Sequence, residues 1–329
     1  MSVTVDQVKK LVVEATSYCN LHCPQCSRFD EQGHLAKNLT PGHINLEIFK
    51  NAVKHNTFPN IQLIQFEGDY GDIMMHPDAD ALIDYACGIT NVIAITNGSM
   101  RSPAWWDKLG KIKNLTVQFS IDGLDDTNHI YRINSNYKRI MDNASAYIKS
   151  GGRAEWKFII FKHNQHQVEQ ARKIAYDLGF VDFITQVSSR NFFGGNTVWP
   201  VMIDGVFSHH LEMSDLTVSD RDKTPIESIK LLADKNYKPP NCRHSANYEL
   251  YLNHRGHLLP CCMVSSKTWN NDMTSKLWMR ILKKCDNIDI SKHTIEEILN
   301  GEFYRKDLKE SFLNPKRVHH VCLSHCSPP

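Results

Sequence analysis

Short apolar runs alternate with amphipathic stretches between residues 11 and 187, and this alternation limits the possible folds more than any other feature. The runs are rich in β-branched and aromatic residues, so they predict strands. Between them, apolar residues recur with a helical period, most clearly at 137–148 and at 168–178 before Gly179. Apolar strands that alternate with helices indicate a parallel sheet, either open and doubly wound or a partial barrel. The predicted strands lie at 11–15, 61–66, 92–95, 115–119, 156–161 and 183–187.

The rest of the chain predicts a different organisation. Periodicity fades from Gly194 to Pro240, where glycine and proline are frequent, so we predict a linker or loop-rich extension over 194–240. This places a barrel or sheet domain at 1–193 and a second, smaller α+β domain at 241–329. In that second part, residues 248–259 predict a β-hairpin, and Thr294 with Glu297 predicts a capping box before a helix.

The chain of 329 residues contains 10 cysteines, which is the one unusual feature of its composition. No stretch is apolar enough to cross a membrane and residues 1–10 lack the apolar core of a signal peptide, so we expect a cytoplasmic protein. In that compartment clustered thiols indicate metal binding rather than disulfides. The net charge of +2 gives no overall basic field, so nucleic acid is not an expected partner.

Three of these cysteines lie within eight residues, directly after the first predicted strand: Cys19, Cys23 and Cys26. Ligands of α/β sheets and barrels gather at the carboxyl ends of the strands, which is where this loop lies. Three thiolates can hold three corners of a 4Fe-4S cluster and leave the fourth iron without a protein ligand. The same spacing permits a zinc site completed by His22 or His34.

This Cys-x-x-x-Cys-x-x-Cys loop resembles the signature of the radical S-adenosylmethionine (SAM) superfamily, whose open iron binds the amino and carboxylate groups of SAM. Motifs at the ends of the next four predicted strands resemble the family's SAM contacts, and their ordered recurrence favours the cluster over zinc. The resemblance implies a partial (β/α)6 TIM-like barrel over about residues 8–190. The SAM-binding candidates that it implies are Gly68, Asp69, Tyr70, Gly71, Asp72, Asn97, Ser120, Asp122, Arg132 and Asn164.

The resemblance also implies roles for these strand ends. Carbonyl groups of loop 68–72 would accept hydrogen bonds from the SAM ammonium group. The motifs at Asn97 and at 120–123 would contact the ribose and methionine moieties, Arg132 would contact the carboxylate, and Asn164 lies where another SAM contact often occurs.

The chain departs from the family pattern at two positions. Gln25 stands where the family commonly has an aromatic residue near the adenine. Asp72 and Ile73 stand where the family has Glu and Pro, so the carboxylate is one methylene shorter and the rigid turn residue is lost. We still expect SAM to bind.

Four further cysteines lie in the last part of the chain: Cys242, Cys261, Cys322 and Cys326. Together with Gly256, which lies shortly before Cys261, they resemble the SPASM/twitch extension of radical SAM enzymes. Four thiols saturate one 4Fe-4S cluster, so the resemblance implies the shorter twitch type with one auxiliary cluster. Three residues separate the closing pair where two are more usual, so one of the four is open to reassignment.

Several alternatives remain for these ligands. Cys262 could replace Cys261, His320 or His325 could serve as a ligand, and a structural zinc site could use the same residue set.

Three cysteines belong to neither proposed site: Cys87, Cys262 and Cys285. They could include a hydrogen-atom donor to a substrate radical, although free buried cysteine is usually inert. No catalytic side chain is assigned.

The resemblance implies that a reduced cluster at the first three cysteines cleaves SAM to methionine and a 5'-deoxyadenosyl radical, which abstracts a hydrogen atom from a substrate carbon. The net result would be oxidation or crosslinking of a peptide or a small molecule such as a sugar or aminocyclitol, with an external one-electron donor such as a flavodoxin or ferredoxin. Peptide-modifying relatives often carry an extra N-terminal recognition domain, whereas the first predicted strand here begins at Leu11, which favours a small molecule. The alternative function is a non-catalytic, zinc-stapled binding protein.

Overall fold

The computed structural model describes residues 3–37, 39–188, 196–216, 239–268, 286–314, 318–319, 322 and 326. The strands in these residues are β1 (Lys10–Val13), β2 (Leu63–Phe66), β3 (Asn91–Thr96), β4 (Leu115–Ser120), β5 (Arg153–Ile160), β6 (Asp182–Val187), β7 (Val198–Ile203), β8 (Val206–Glu212), β9 (Glu249–Leu252) and β10 (Leu258–Leu259).

Helices lie between and after these strands. The α-helices are α1 (Leu46–Ala52), α2 (Ala79–Cys87), α3 (Pro103–Leu109), α4 (Asn128–Tyr131), α5 (Tyr137–Lys149), α6 (Val168–Leu178), α7 (Arg243–Ala246), α8 (Cys262–Thr268), α9 (Ile295–Asn300) and α10 (Leu308–Leu313). Short 3-10 helices lie at Val5–Gln7, Ile73–Met75, Gln165–Gln167 and Asp286–Ile288, and a π-helical turn lies at Phe303–Asp307. No helix of the described ranges is both long and apolar enough to span a membrane.

An eight-stranded sheet forms the centre of the fold, in the order β10-β9-β1-β2-β3-β4-β5-β6. Strands β1 to β6 are all parallel, as the apolar runs predict, so the α/β prediction is confirmed. The predicted helices are also present: α5 begins after the Asn136 cap, whose side chain accepts from the Arg139 amide, and α6 ends at Gly179, whose φ of 98° suits glycine. All six carboxyl strand ends consequently meet at one edge, where the candidate residues lie.

The predicted hairpin near residue 250 is present as β9 and β10, and its position is the main surprise of the fold. β9 pairs in parallel with β1 and thereby extends the main sheet, while β10 runs antiparallel to β9. The buried apolar cluster is continuous from β1 to Leu250, Leu252 and Ile298. The capping box of Thr294 and Glu297 is also present. Whether residues 241–329 form a separate domain stays a prediction.

A second hairpin, formed by β7 and β8, lies within the stretch 194–240 for which only a linker or loop-rich extension was predicted. Its Val201 and Leu211 side chains are fully buried and pack in one cluster with Leu21, Cys23 and Phe161. This small sheet therefore covers the loop that carries the first three cysteines.

Candidate active site

The loop that carries Cys19, Cys23 and Cys26 follows β1 at the carboxyl edge of the sheet, and its three thiols influence one another electrostatically. Burial raises the pKa of the Cys19 thiol to about 12, and nearby Asp72 acts in the same direction. Burial also raises the pKa of the Cys23 thiol to about 11, against the opposing charge of Arg132. Without a bound cation, these buried thiols stay protonated at neutral pH.

Polar groups surround the three sulfur atoms. The Asn97 Nδ2 lies 3.8 Å from the Cys19 Sγ, and an Arg132 guanidinium nitrogen lies 3.9 Å from the Cys23 Sγ. The backbone amide of Leu21 lies 3.4 Å from the Cys19 Sγ. Such N–H contacts to sulfur are one way in which proteins tune iron-sulfur clusters.

Loop 68–72 lies directly beside the cysteine loop, and its glycines permit this close approach. The Asp72 amide donates to the Tyr18 carbonyl over 2.9 Å. A Cβ atom on Gly71 would stand 2.0 Å from the Thr16 carbonyl oxygen, and one on Gly68 would stand 1.4 Å from the Gly71 carbonyl oxygen. No side chain fits at either position without moving the backbone.

Asp72 is buried and bound within the chain. Its carboxylate accepts from the Thr96 hydroxyl over 2.9 Å, from the Asn97 amide over 2.7 Å and from the Met74 amide over 3.0 Å. Burial raises the pKa of this carboxyl group, whereas the three donors lower it, and the net direction is upward. The aspartate that replaces the family's glutamate thus ties loop 68–72 to the end of β3.

Asp122, Arg132 and Asn164 form a second bound group after β4 and β5. The Arg132 Nε donates to the Asp122 Oδ2 over 2.6 Å, and the Ile159 amide donates to the Asp122 Oδ1 over 2.6 Å. Burial is the largest single influence and disfavours the charge on Arg132, but Asp122, Cys23 and Tyr131 together outweigh it and raise the pKa of the guanidinium group. The Asn164 amide donates to the Asp122 and Ile159 carbonyls over 2.8 and 2.9 Å. Asp122 and Asn164 therefore position Arg132 and the strand ends.

Ser120 and Gln25 lie at the same edge of the sheet. Ser120 ends β4 and is 7% exposed. Gln25 is buried, and its Oε1 accepts from the Ser188 hydroxyl over 3.1 Å, just after the end of β6. The position that carries an aromatic residue in the family is thus polar here and hydrogen-bonded to Ser188, the residue after β6.

The four later thiols come together in one cavity: Cys242, Cys261, Cys322 and Cys326 line it. A hydrogen bond with Cys326 lowers the pKa of the Cys242 thiol to about 5, whereas burial raises that of Cys261 to about 12. Cys262 does not line this cavity and lies within electrostatic reach of Asp69. Cys285, His320 and His325 lie outside the described residues.

Two comparisons with known proteins bear on this site. Residues 13–176, which run from the end of β1 into α6, match the family model described as Radical SAM superfamily. The chain belongs to the radical SAM superfamily. No curated protein is significantly similar to it in sequence.

Solved structures show the same radical SAM fold. SuiB from Streptococcus suis bound to S-adenosylmethionine has a TM-score of 0.55 at 14% identity, over 82% of this chain and 65% of SuiB. Polyhistidine-tagged anSMEcpe with bound AdoMet has a TM-score of 0.52 at 14% identity, over 96% of this chain and 85% of that one. The chain thus spans less than two thirds of SuiB, and at these identities the likeness concerns the fold alone.

The cysteine loop and its neighbours suit the 4Fe-4S cluster that a radical SAM domain holds. The three neighbouring thiols match the donor set of a 4Fe-4S cluster with one open iron. N–H donors are directed at two of these thiols, and the glycine loop 68–72 packs against the same segment. Within the described part of the chain, no three His, Cys, Asp or Glu side chains are grouped closely enough to hold one metal ion. A cubane differs from such a site because each of its thiolates binds a separate iron.

Glu14, a buried residue that binds several groups near this site, was not predicted from the sequence. Its Oε1 accepts from the Tyr70 amide over 2.6 Å, and its Oε2 accepts from the Tyr251 hydroxyl over 3.0 Å and lies 3.4 Å from the His254 Nδ1. The signal was present, since Glu14 is the one charged residue in the first apolar run. Asn20, which contacts Asn97 over 3.1 Å, was also missed.

Proposed function

We propose that this protein cleaves SAM reductively and uses the resulting radical to abstract a hydrogen atom from a substrate carbon. The observation that carries this proposal is the triplet Cys19, Cys23 and Cys26, placed beside loop 68–72 at the carboxyl edge of a radical SAM fold. When bound there, the cluster supplies the electron that cleaves the SAM sulfonium and so yields the 5'-deoxyadenosyl radical.

The chain's own residues would bind the cluster, orient SAM and shield the cluster from water. The three thiolates would hold three irons, and Asn97 and Arg132 would donate toward their sulfur atoms. Carbonyl groups of loop 68–72 would face the SAM ammonium group, and Asp72 keeps that loop in place. Val201 and Leu211 of hairpin β7–β8 pack in one buried group with Cys23, so the hairpin would exclude water from one side of a cluster bound there.

We also propose one auxiliary 4Fe-4S cluster in the second cavity, of the twitch type. Four thiols line this cavity, which is sufficient for one cluster: Cys242, Cys261, Cys322 and Cys326. Asp69 supports a link between the two sites, since its carbonyl contacts the Cys26 Sγ at 3.7 Å and its charge reaches Cys261. An acceptor there would take up the electron left on the substrate, which would make the net reaction an oxidation or a crosslink.

The proposed substrate is a peptide or a small molecule such as a sugar or aminocyclitol. SuiB has been solved bound to the precursor peptide SuiA, and native anSMEcpe with AdoMet and the Cp18Cys peptide, with TM-scores of 0.55 and 0.51 to this chain. Peptides are therefore the first class to test. A flavodoxin or ferredoxin would supply the external electron in a cytoplasmic setting.

Anaerobic purification tests this proposal. Iron and sulfide are counted per chain, and 5'-deoxyadenosine is assayed after addition of dithionite and SAM. We expect about eight irons per chain, four for each cluster. The variant Cys23→Ala should lose SAM cleavage, whereas Cys87→Ala, which removes an equally buried thiol from α2, should keep it. Zinc in place of iron without cleavage would instead support the zinc-stapled binding protein.

A further inference from the structure

Three polar side chains beside Cys19 form a closed ring of hydrogen bonds, the asparagine ring: Asn20, Asn97 and Ser99. The Asn97 Nδ2 donates to the Asn20 Oδ1 over 3.1 Å, and the Asn20 Nδ2 donates to the Ser99 Oγ over 2.8 Å. The Ser99 hydroxyl donates in turn to the Asn97 Oδ1, which closes the ring. Asn97 and Ser99 are buried and Asn20 is half-buried, so the ring lies within the protein rather than in solvent.

A backbone amide fixes the direction of every bond in this ring. The Ser99 amide can only donate, and it reaches the Asn97 Oδ1 over 2.9 Å. The Asn97 Nδ2 is therefore the atom that faces Asn20. Because that nitrogen also only donates, Asn20 turns its Oδ1 toward Asn97 and its Nδ2 toward Ser99. The Ser99 oxygen then accepts from Asn20, and its own proton is left for Asn97.

The Asn97 Nδ2 carries two hydrogen atoms, and it has two acceptors. The Asn20 Oδ1 takes one hydrogen, and the Cys19 Sγ lies 3.8 Å from the same nitrogen. The Leu21 amide also donates to this sulfur over 3.4 Å, but as a backbone group it is present whatever the side chains are. Asn97 thus supplies a side-chain N–H group to the Cys19 sulfur.

The loops after three neighbouring strands hold the asparagine ring in place. Asn20 lies in the cysteine loop after β1, whereas Asn97 and Ser99 follow β3. The Asn97 amide donates over 2.7 Å to the carboxylate of Asp72, in loop 68–72 after β2. Rotation of the Asn97 side chain would break its bonds to Asn20 and Ser99, so the ring keeps the Nδ2 beside Cys19. Hydrogen bonds that follow one another in this way also polarise each other, which strengthens the N–H donor.

We propose that the asparagine ring raises the reduction potential of the cluster at the first three cysteines, because it holds an N–H group on the Cys19 sulfur. This inference rests on the proposed function, since it concerns the cluster that cleaves SAM. The partial positive charge of an N–H group stabilises the additional electron of a reduced cluster. Asn97 acts on the thiolate, whereas Asn20 and Ser99 are positioning residues. The SAM contact that the resemblance implies for Asn97 stays a prediction.

The test is an anaerobic potentiometric titration of the full chain without SAM, followed by electron paramagnetic resonance. A SAM contact of Asn97 therefore plays no part in the result. The midpoint that is absent from Cys23→Ala belongs to the first cluster. We expect a lower midpoint in Asn97→Leu, which has no N–H group, and a smaller shift in the same direction in Ser99→Ala, which opens the ring. Ser99→Thr keeps the hydroxyl and should keep the midpoint of the unchanged protein.

Ser17→Ala is the matched control. Ser17 is also buried and lies two residues before Cys19, but its Oγ accepts from the Gly42 amide over 2.9 Å and has no bond to the asparagine ring. This variant should keep the midpoint of the unchanged protein. Equal shifts in Ser17→Ala and Ser99→Ala would overturn the proposal, because any change near the cysteine loop would then move the potential.

A double variant tests whether Ser99 acts through Asn97. In Asn97→Leu the further change Ser99→Ala should produce no additional shift, since the N–H group that Ser99 positions is already gone. An additive shift, or an unchanged midpoint in Asn97→Leu, would overturn the proposal. Where Asn97→Leu does not retain the cluster, Ser99 decides the question: equal midpoints in Ser99→Ala and the unchanged protein would overturn it. A titration in which Cys23→Ala loses no midpoint would instead contradict the first cluster and, with it, the proposed function.

Discussion

The buried side chain of His163 makes the stability of the whole fold depend on pH. It lies after β5 with its ring stacked on Phe161 at 5.4 Å, and its Nε2 is buried without a hydrogen-bond partner among the described residues. Burial lowers the pKa of His163 to about 4, and the nearby rings of His209, His129 and His166 act in the same direction. The folded protein therefore holds this ring neutral at pH values at which the unfolded chain protonates it.

A pH-dependent loss of stability follows at this residue. Because the folded pKa is depressed, stability is fully present above the unfolded value of 6.5 and is lost as pH falls toward 4. Between pH 7 and pH 5 the contribution amounts to about 2 kcal/mol. In urea titrations at both pH values, His163→Phe should reduce the pH dependence of the unfolding free energy by that amount. Replacing exposed His55 with Gln should leave the dependence as it is, and an equal effect of both variants would contradict this assignment.

Asp122 has a structural role within the chain, and the SAM contact that the resemblance implies for it stays a prediction. Its two carboxylate oxygens bind the Ile159 amide and the Arg132 guanidinium group. Asp122→Asn removes the negative charge that Arg132 requires and leaves the guanidinium group buried. Breaking one side of a buried ion pair costs about 3–5 kcal/mol.

We expect Asp122→Asn to lower the unfolding free energy by about that amount, measured by urea denaturation. Asp142→Asn removes a partner from the exposed ion pair with Lys138 and serves as the control. That control should change the unfolding free energy by less than about 1 kcal/mol. Equal effects of the two changes would show that Asp122 does not support Arg132.

At the scale of elements, loop 68–72 depends on backbone contact that only glycine allows. A Cβ on Gly71 would collide with the Thr16 carbonyl at 2.0 Å, whereas one on Gly42 would meet the His254 ring at an ordinary 3.7 Å. We expect Gly71→Ala to displace the loop and to weaken binding of S-adenosylhomocysteine at least tenfold by isothermal titration calorimetry, which corresponds to about 1.4 kcal/mol. Gly42→Ala should bind as the unchanged protein does, and unchanged binding by Gly71→Ala would show that the loop does not contact the ligand.

Hairpin β7–β8 is the element that covers the first cysteine loop. Leu211 is fully buried beside Cys23, whereas Val206 on the same strand is 68% exposed. Leu211→Ala should leave a cavity and lower the unfolding free energy by about 2–5 kcal/mol. Water and oxygen should then reach the cluster, so iron should be lost faster to a chelator under air. Val206→Ala is the control in the same hairpin, and equal rates of iron loss in both variants would exclude a shielding role.

Periodicity predicted β1 to β6, α5 and α6 because each buries an apolar face against a neighbour along the sheet. Hairpin β7–β8 was missed because its strands lack this alternation: Val198 and Val206 are exposed, and Pro200 lies inside β7. The pairing of β9 with β1 could not be predicted from local sequence patterns either, because it joins residues more than 200 positions apart. The cysteine loops were visible because sulfur ligands have short, fixed spacings.

At the scale of the whole molecule, Glu14 joins three parts of the chain that are distant in sequence. Its carboxyl group accepts from the Tyr70 amide in loop 68–72 and from the Tyr251 hydroxyl on β9, so the proposed SAM site and the second cysteine region share one buried acidic side chain. His254, from the turn after β9, lies 3.4 Å from the same carboxylate and also contacts the Thr40 carbonyl at 2.9 Å. Removal of one hydrogen-bond donor to Glu14 should therefore affect loop 68–72 as well as the substituted residue.

Two buried tyrosines allow that consequence to be tested with matched changes. Tyr251→Phe removes the hydroxyl that reaches Glu14, whereas Tyr304→Phe removes one that donates to the Leu258 carbonyl over 3.2 Å. Each variant should lose about 1–2 kcal/mol of unfolding free energy, because each gives up one buried hydrogen bond. Hydrogen exchange read by mass spectrometry should separate them: loop 68–72 should exchange faster only in Tyr251→Phe, since only there does the carboxylate that holds the Tyr70 amide lose a partner. Faster exchange in both variants, or in neither, would mean that Glu14 does not transmit changes between the two regions.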